Sequence, residues 1–170
     1  MAKNRGLFAA VSSFWRIPIL AAMVLATGAF GYYFYAFAPT KLIAVNYSPS
    51  LAYSVYLVDK MDTDITYGDL IAFKPPLEAA GGRNFIKRVK GLPGDLIRRE
   101  GDIYYIGDAE VGYIQAYTRI GQPLEGIKTG IIPKGKIFVV GDHFGSFDSR
   151  YKIIGLIDME AVSGTAKPLF

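Results

Sequence analysis

The chain has 170 residues, enough for one domain of moderate size plus an anchor, with 51% apolar residues, a net charge of +4 and no cysteine. The absence of Cys removes disulfides and thiol chemistry, and a single His with no His-Glu-x-x-His motif argues against a zinc hydrolase, so no metal or cofactor is called for. Lys3, Arg5 and Arg16 account for most of the surplus charge and the rest of the chain is nearly balanced, which leaves no basic stripe for nucleic acid.

Residues 1–16 carry those three basic side chains and no acid, and the 22 residues from Ile17 to Ala38 then run without a charge. As a helix that stretch would span about 33 Å, against a hydrocarbon core of about 30 Å, so it is long enough to cross a bilayer once. A basic flank before it and the rings of Tyr32, Tyr33, Phe34, Tyr35 and Phe37 near its end predict a cytoplasmic N-terminus and an aromatic belt at the far interface. The competing reading is a cleaved signal peptide, but that would have an apolar region of about 7 to 15 residues ending in a small-x-small site. The best such site, Ala36-Phe37-Ala38, is followed by Pro39. The expectation is a retained transmembrane helix over 17–38, with residues 39–170 outside the cytoplasm.

Beyond the anchor the pattern is β. Lys41–Asn46, Val55–Asp59, Leu70–Phe73, Phe85–Val89, Leu96–Arg99, Ile103–Ile106, Val111–Tyr117, Lys136–Val140 and Ile153–Ile157 are short, rich in β-branched and aromatic residues, and separated by Gly, Pro or Asp. No stretch after residue 50 holds a helical period over three turns, beyond one short turn near Ser50–Tyr53. These segments predict a single, mainly antiparallel β domain, partly closed as a barrel.

Two patterns carry chemistry. In Asn46-Tyr47-Ser48-Pro49-Ser50-Leu51, Ser48 and Ser50 alternate; in an extended segment both hydroxyls would face one side, about 6 to 7 Å apart. A serine hydroxyl needs a base to become a nucleophile. In Phe85-Ile86-Lys87-Arg88-Val89, alternation puts Lys87 on one strand face with Phe85 and Val89, and Arg88 on the other with Ile86. A Lys buried among apolar groups loses its proton near neutrality, because burial penalises the charged form. On their own, a Ser after Pro reads as a turn residue and a strand Lys as a surface charge.

Four blocks in order change that balance: Ser48-Pro49-Ser50-Leu51, Tyr67-Gly68-Asp69-Leu70-Ile71-Ala72-Phe73, Ile86-Lys87-Arg88-Val89 with Gly91-Leu92-Pro93-Gly94-Asp95, and Gly141-Asp142-His143-Phe144-Gly145-Ser146-Phe147-Asp148-Ser149-Arg150-Tyr151. Over roughly residues 41–160 this resembles the type I signal peptidase family. Within that family, the Asn-x-Ser-x-Ser start and the Gly-Asp-His... Ser-Phe-Asp-Ser-Arg-Tyr ending are similar to the conjugative-transfer peptidases of the TraF type, which mature pilin precursors.

The resemblance implies a signal-peptidase-like antiparallel β domain with a small inserted β subdomain over about 98–132, and a serine endopeptidase in the bacterial inner membrane, with its catalytic domain in the periplasm. It implies Ser50 as nucleophile, Lys87 as general base, and an oxyanion site from the Ser48 hydroxyl and the Ser50 backbone N–H. It also implies Ser146 as the group orienting the Lys87 amine, an Arg88–Asp148 ion pair tying strand to loop, and Arg150 helping to hold that loop. The implied partners are a pilin precursor or other membrane-bound preprotein and the lipid bilayer, with hydrolysis or head-to-tail cyclisation as the outcome.

His143 invites a Ser-His-Asp reading with Asp142 or Asp148, but in the TraF-type pattern it is not the base. Ala52 and Ser54 stand where many relatives have Pro and Gly, and Leu51 where housekeeping enzymes have Met; these departures bear on substrate preference and point away from a housekeeping role. A housekeeping signal peptidase and a non-catalytic membrane-tethered assembly factor are the two rival readings.

Overall fold

The protein is described by a computed structural model over residues 15–76, 83–118 and 120–170. Helix α1 (Arg16–Phe37) is followed by a 3-10 turn at Ala38–Thr40. Past Arg16 the helix carries no charge, none of its residues is buried, and it is long and apolar enough to cross a membrane. Lys3 and Arg5 of the expected cytoplasmic flank lie outside the described residues. A division between Thr40 and Lys41 separates this unit from the β domain.

The β domain contains β1 (Lys41–Val45), β2 (Val55–Asp59), β3 (Leu70–Phe73), β4 (Phe85–Gly91), β5 (Leu96–Glu100), β6 (Ile103–Ile106), β7 (Ala109–Tyr113), β8 (Gly130–Ile131), β9 (Lys136–Val140), β10 (Ile157–Asp158) and β11 (Val162–Pro168). Every pairing is antiparallel. A seven-stranded sheet runs β1-β2-β11-β3-β4-β9-β10, and a four-stranded sheet runs β7-β6-β5-β8 and spans residues 96–131. Strands β1 and β10 end the larger sheet without pairing to each other, so it is not a fully closed barrel.

Two expected segments shift, and a strand the pattern does not predict joins them. The run Val111–Tyr117 becomes β7 at Ala109–Tyr113, because the chain leaves the ladder after Tyr113. There the Ile114 N–H donates to the Asp102 carbonyl and the Gln115 N–H to the Tyr151 hydroxyl. The β-branched run Ile153–Ile157 is mostly turn: the Ile154 and Gly155 N–H groups both donate to the Tyr151 carbonyl, and only Ile157 enters a strand. Strand β11, with Gly164, Lys167 and Pro168, has little β propensity, yet it lies between β2 and β3. Gly164 has φ +145 at a break in the β11–β3 register, and a Cβ there would overlap the Asp59 carbonyl.

Packing follows the period of two. On β9, Ile137 and Val139 enter one apolar cluster with Ile71, Phe73 and Val89, while Phe138 and Val140 enter another with Ile97, Tyr104, Ile106 and Tyr151 from the small sheet and the loop beyond it. A third cluster, Leu51, Tyr56, Val58, Leu70, Ala72 and Ala166, lies under β2, β3 and β11. Strand β9 is therefore buried on both faces and walls two cores apart.

Candidate active site

On β4 the alternation places Phe85, Lys87 and Val89 on one face, with Ile71 of β3 opposite Lys87 in the ladder. Lys87 is 4% exposed. Its amine donates to the Ser146 Oγ at 2.8 Å and lies 5.6 Å from the centre of the Phe85 ring. Burial is the main cause that pushes this amine from 10.5 down to about 8; Arg150 pushes the same way, and Asp148 and Asp142 oppose.

Ser48 and Ser50 lie in a bend between β1 and β2, and the extended geometry expected from their alternation does not occur. The Asn46 Oδ1 accepts the Ser48 N–H and the Ser48 hydroxyl, each at 3.1 Å, which closes the chain into an Asx turn. The two serine hydroxyls meet directly at 2.8 Å. Since the Ser48 proton is engaged by Asn46, Ser50 donates and Ser48 accepts. Leu51 enters the third core cluster and the Tyr53 N–H donates to the Tyr56 hydroxyl at 3.3 Å, so Ser50 is held at 7% exposure.

The segment leaving β9 supplies the rest. Asp148 is fully buried; it accepts the Gly141 N–H at 2.9 Å and two guanidinium bonds from Arg150, at 2.8 and 2.9 Å. Arg150 also donates to the Tyr113 carbonyl at 2.8 Å and the Ser146 carbonyl at 3.2 Å, joining β7 of the small sheet to the segment that carries Ser146. The expected Arg88–Asp148 pair is not formed. Arg88, on the face of β4 away from Lys87, makes a two-pronged pair with Asp142 at 2.9 and 3.0 Å and donates to the Gly68 carbonyl at 2.9 Å. Two acids occupy this segment, and the one facing inward is taken by Arg150, so the outward Arg88 meets the outward Asp142. The guanidinium holds the Asp142 carboxyl below the usual range.

Ser48, Ser50, Lys87, His143 and Ser146 line one cleft of about 680 Å³, whose apolar wall includes Leu42, Ala44, Val58, Ala72 and Ile86. Strand β9 pairs with β4 only from Arg88 onward, so among the described residues no strand pairs with the edge of Phe85–Lys87 on that side. The hydroxyl of Ser50 and the amine of Lys87 bond to Ser48 and Ser146 respectively, and Gly141 packs between their supports. A Cβ at Gly141 would overlap the Ser146 Oγ and stand 2.9 Å from the Ser50 carbonyl oxygen. His143 bonds to neither serine hydroxyl: its Nδ1 accepts the Gly145 N–H at 3.0 Å, while Asp142 and Asp148 are held by arginines. No Ser-His-Asp relay exists among the described residues. Sequence reasoning missed Asn46 as the closure of the serine turn, Gly141 as the gap between the two supports, and the Tyr113 carbonyl as an Arg150 partner; Asn two residues before Ser is an Asx-turn signal that could have marked the first.

A model of the signal peptidase family, peptidase S26, matches residues 15–170. Signal peptidase I U of Bacillus subtilis is 36% identical over 110 residues, covering 61% of this chain and 57% of that protein. The conjugal transfer protein TraF of Agrobacterium fabrum is 27% identical over 144 residues, covering 74% of this chain and 81% of that protein. A crystal structure of a signal peptidase I from Enterococcus faecalis V583 is 23% identical with a TM-score of 0.41, covering 61% of this chain and 97% of that one. The chain spans about half the length of the signal peptidases of Bacillus subtilis and Bacillus licheniformis that it matches.

Proposed function

The chain belongs to the signal peptidase family, peptidase S26, and from that premise we propose that it is a membrane-anchored serine endopeptidase working with a Ser50–Lys87 dyad. The observation that carries the reading is a buried amine with a pKa of about 8 in the same cleft as a buried serine hydroxyl. At pH 7 a pKa of about 8 leaves about a tenth of the amine neutral, about 300-fold more than at 10.5.

A precursor lies extended along the open edge of β4, with small side chains near the scissile bond against the apolar wall. Neutral Lys87 takes the Ser50 proton as Oγ attacks the carbonyl carbon. The oxyanion meets the Ser50 N–H and the Ser48 hydroxyl, which swings from Asn46; each such donor is typically worth about 3 to 4 kcal/mol. Collapse breaks the C–N bond, the amine leaves with the proton from Lys87, and an ester remains on Ser50. Water, deprotonated by Lys87, releases the acid; the N-terminal amine of the same precursor would release a ring instead. Ser146 orients the Lys87 amine, and Asp148 with Arg150 holds Ser146 in place.

The substrate we assign is a pilin precursor of conjugative transfer, cut at the outer face of the bacterial inner membrane with the N-terminus in the cytoplasm; the TraF relative and the shared motif order support it. A general signal peptidase is the second reading, favoured by the 36% identity to signal peptidase I U. Co-expressing a candidate pilin precursor with wild-type, Ser50→Ala and Lys87→Ala forms tests the enzyme. Processing should stop in both variants, and its persistence in both would remove the peptidase. An unrelated preprotein cut equally well would favour the second reading, and a mass lower by one further water would mark the ring.

A further inference from the structure

His143 is the chain's single histidine, and all but one of its polar groups are committed inside the protein. Its backbone N–H donates to the Ser50 carbonyl at 3.2 Å and its carbonyl accepts the Ser146 N–H at 2.9 Å. Its Nδ1 accepts the Gly145 N–H at 3.0 Å. An imidazole that accepts at Nδ1 and is neutral carries its proton on Nε2, where it can only donate. The ring is half-buried, packs on Phe144 with centroids 4.3 Å apart, and belongs to the wall of the cleft. Among the described residues nothing accepts the Nε2–H.

The reaction described above has no use for this group, since Lys87 already moves the proton. A fixed N–H donor on the wall of a peptide cleft is matched by what every extended peptide presents, a backbone carbonyl. We propose that His143 is a substrate-binding residue whose Nε2–H donates a hydrogen bond to a main-chain carbonyl oxygen of the peptide in the cleft. Three bonds to its own segment and to Ser50 hold the donor before substrate arrives, so little ordering remains for binding to supply. Because the same residue holds the Ser50 carbonyl, it sets the substrate's register against the nucleophile. The inference rests on the peptidase reading.

The single histidine makes the test clean. Full-length Ser50→Ala protein in detergent micelles, labelled with 15N-histidine, gives one imidazole, and the probe is a synthetic extended peptide with Ala at the first and third positions before the scissile bond. The free protein should show the Nε2–H form; bound peptide should move that proton's resonance and slow its exchange with water. In kinetics, His143→Asn keeps an acceptor for Gly145 but has nothing at Nε2, so KM should rise about tenfold with kcat nearly unchanged. His143→Gln reaches to the Nε2 position and should recover most of that KM. An unchanged KM in His143→Asn, a loss confined to kcat, or an Nε2–H signal indifferent to a peptide seen to bind by fluorescence anisotropy would overturn the proposal. If wild type neither binds nor cuts the peptide, the peptidase reading fails as well, and that result differs from binding without the histidine signature.

Discussion

Lys87→Met should leave the protein inactive and, at neutral pH, more stable. The fold holds this amine at about 8 against an ordinary 10.5. Each unit is about 1.4 kcal/mol, so the charged amine is about 3 kcal/mol less favourable in the folded chain than in the unfolded one. Below pH 8 both states are protonated and the folded state carries the whole penalty. Between 8 and 10.5 the unfolded chain binds more protons, so stability rises with pH; above 10.5 both are neutral and the penalty is gone. Methionine is flexible, apolar and of similar length, but it leaves the buried Ser146 hydroxyl without its Lys87 partner, a loss of about 1 kcal/mol. The net expectation is a gain of about 2 kcal/mol at pH 7 that becomes a loss of about 1 kcal/mol above pH 10.5. Urea unfolding of the two proteins in detergent at a series of pH values measures it, the difference cancelling the titration of groups they share. Near-ultraviolet circular dichroism of the tyrosines is the probe, because the single Trp lies at position 15, in the anchor unit. A variant less stable than wild type at pH 7, or a gap that does not vary with pH, would refute the reasoning.

Three further outcomes follow from the site. On a peptide substrate, kcat/KM should fall about tenfold per pH unit below a midpoint near 8, as Lys87 takes up its proton. Asp148→Ala strands the buried Arg150 guanidinium and should lose about 3 to 5 kcal/mol, whereas Arg88→Gln breaks a half-exposed pair and should lose about 1 kcal/mol or less. Chemical unfolding compares them, and equal losses would contradict the difference in burial. Gly141→Ala should keep the far-ultraviolet spectrum of the fold but reduce turnover by about 100-fold or more, since its methyl displaces Ser146 and the Ser50 carbonyl.

Strands were legible where β-branched and aromatic residues cluster, as in Leu70–Phe73 and Lys136–Val140, which fall where the pattern puts them. Strand β11 was not, because Gly164 and Pro168 oppose strand formation and only tertiary pairing with β2 and β3 overrides them. Alternation along β4 told which way Arg88 points, but not which of two acids six residues apart it meets; that depends on the turn between them. The spacing of Ser48 and Ser50 gave proximity under an extended backbone, while the Asn46 turn brings the hydroxyls far closer than any strand would. Block order singled out Ser50 and Lys87, which line one cleft; the depth of burial that lowers the lysine's pKa comes from tertiary packing, which block order does not carry.

The doubly covered β9 gives the two halves of the site unequal mechanical footing. Lys87 and Ser146 are tied to the frame, one on a strand paired with β3 at that position and with β9 from the next residue on, the other on the segment that grows out of β9 itself. Ser50 rides on a bend beside β1, the exposed border of the sheet, and Leu51 is the tack that pins it down. If Ser50 and Lys87 work as a dyad, substitutions around Leu51 should retune the serine's reach and leave the amine's support untouched.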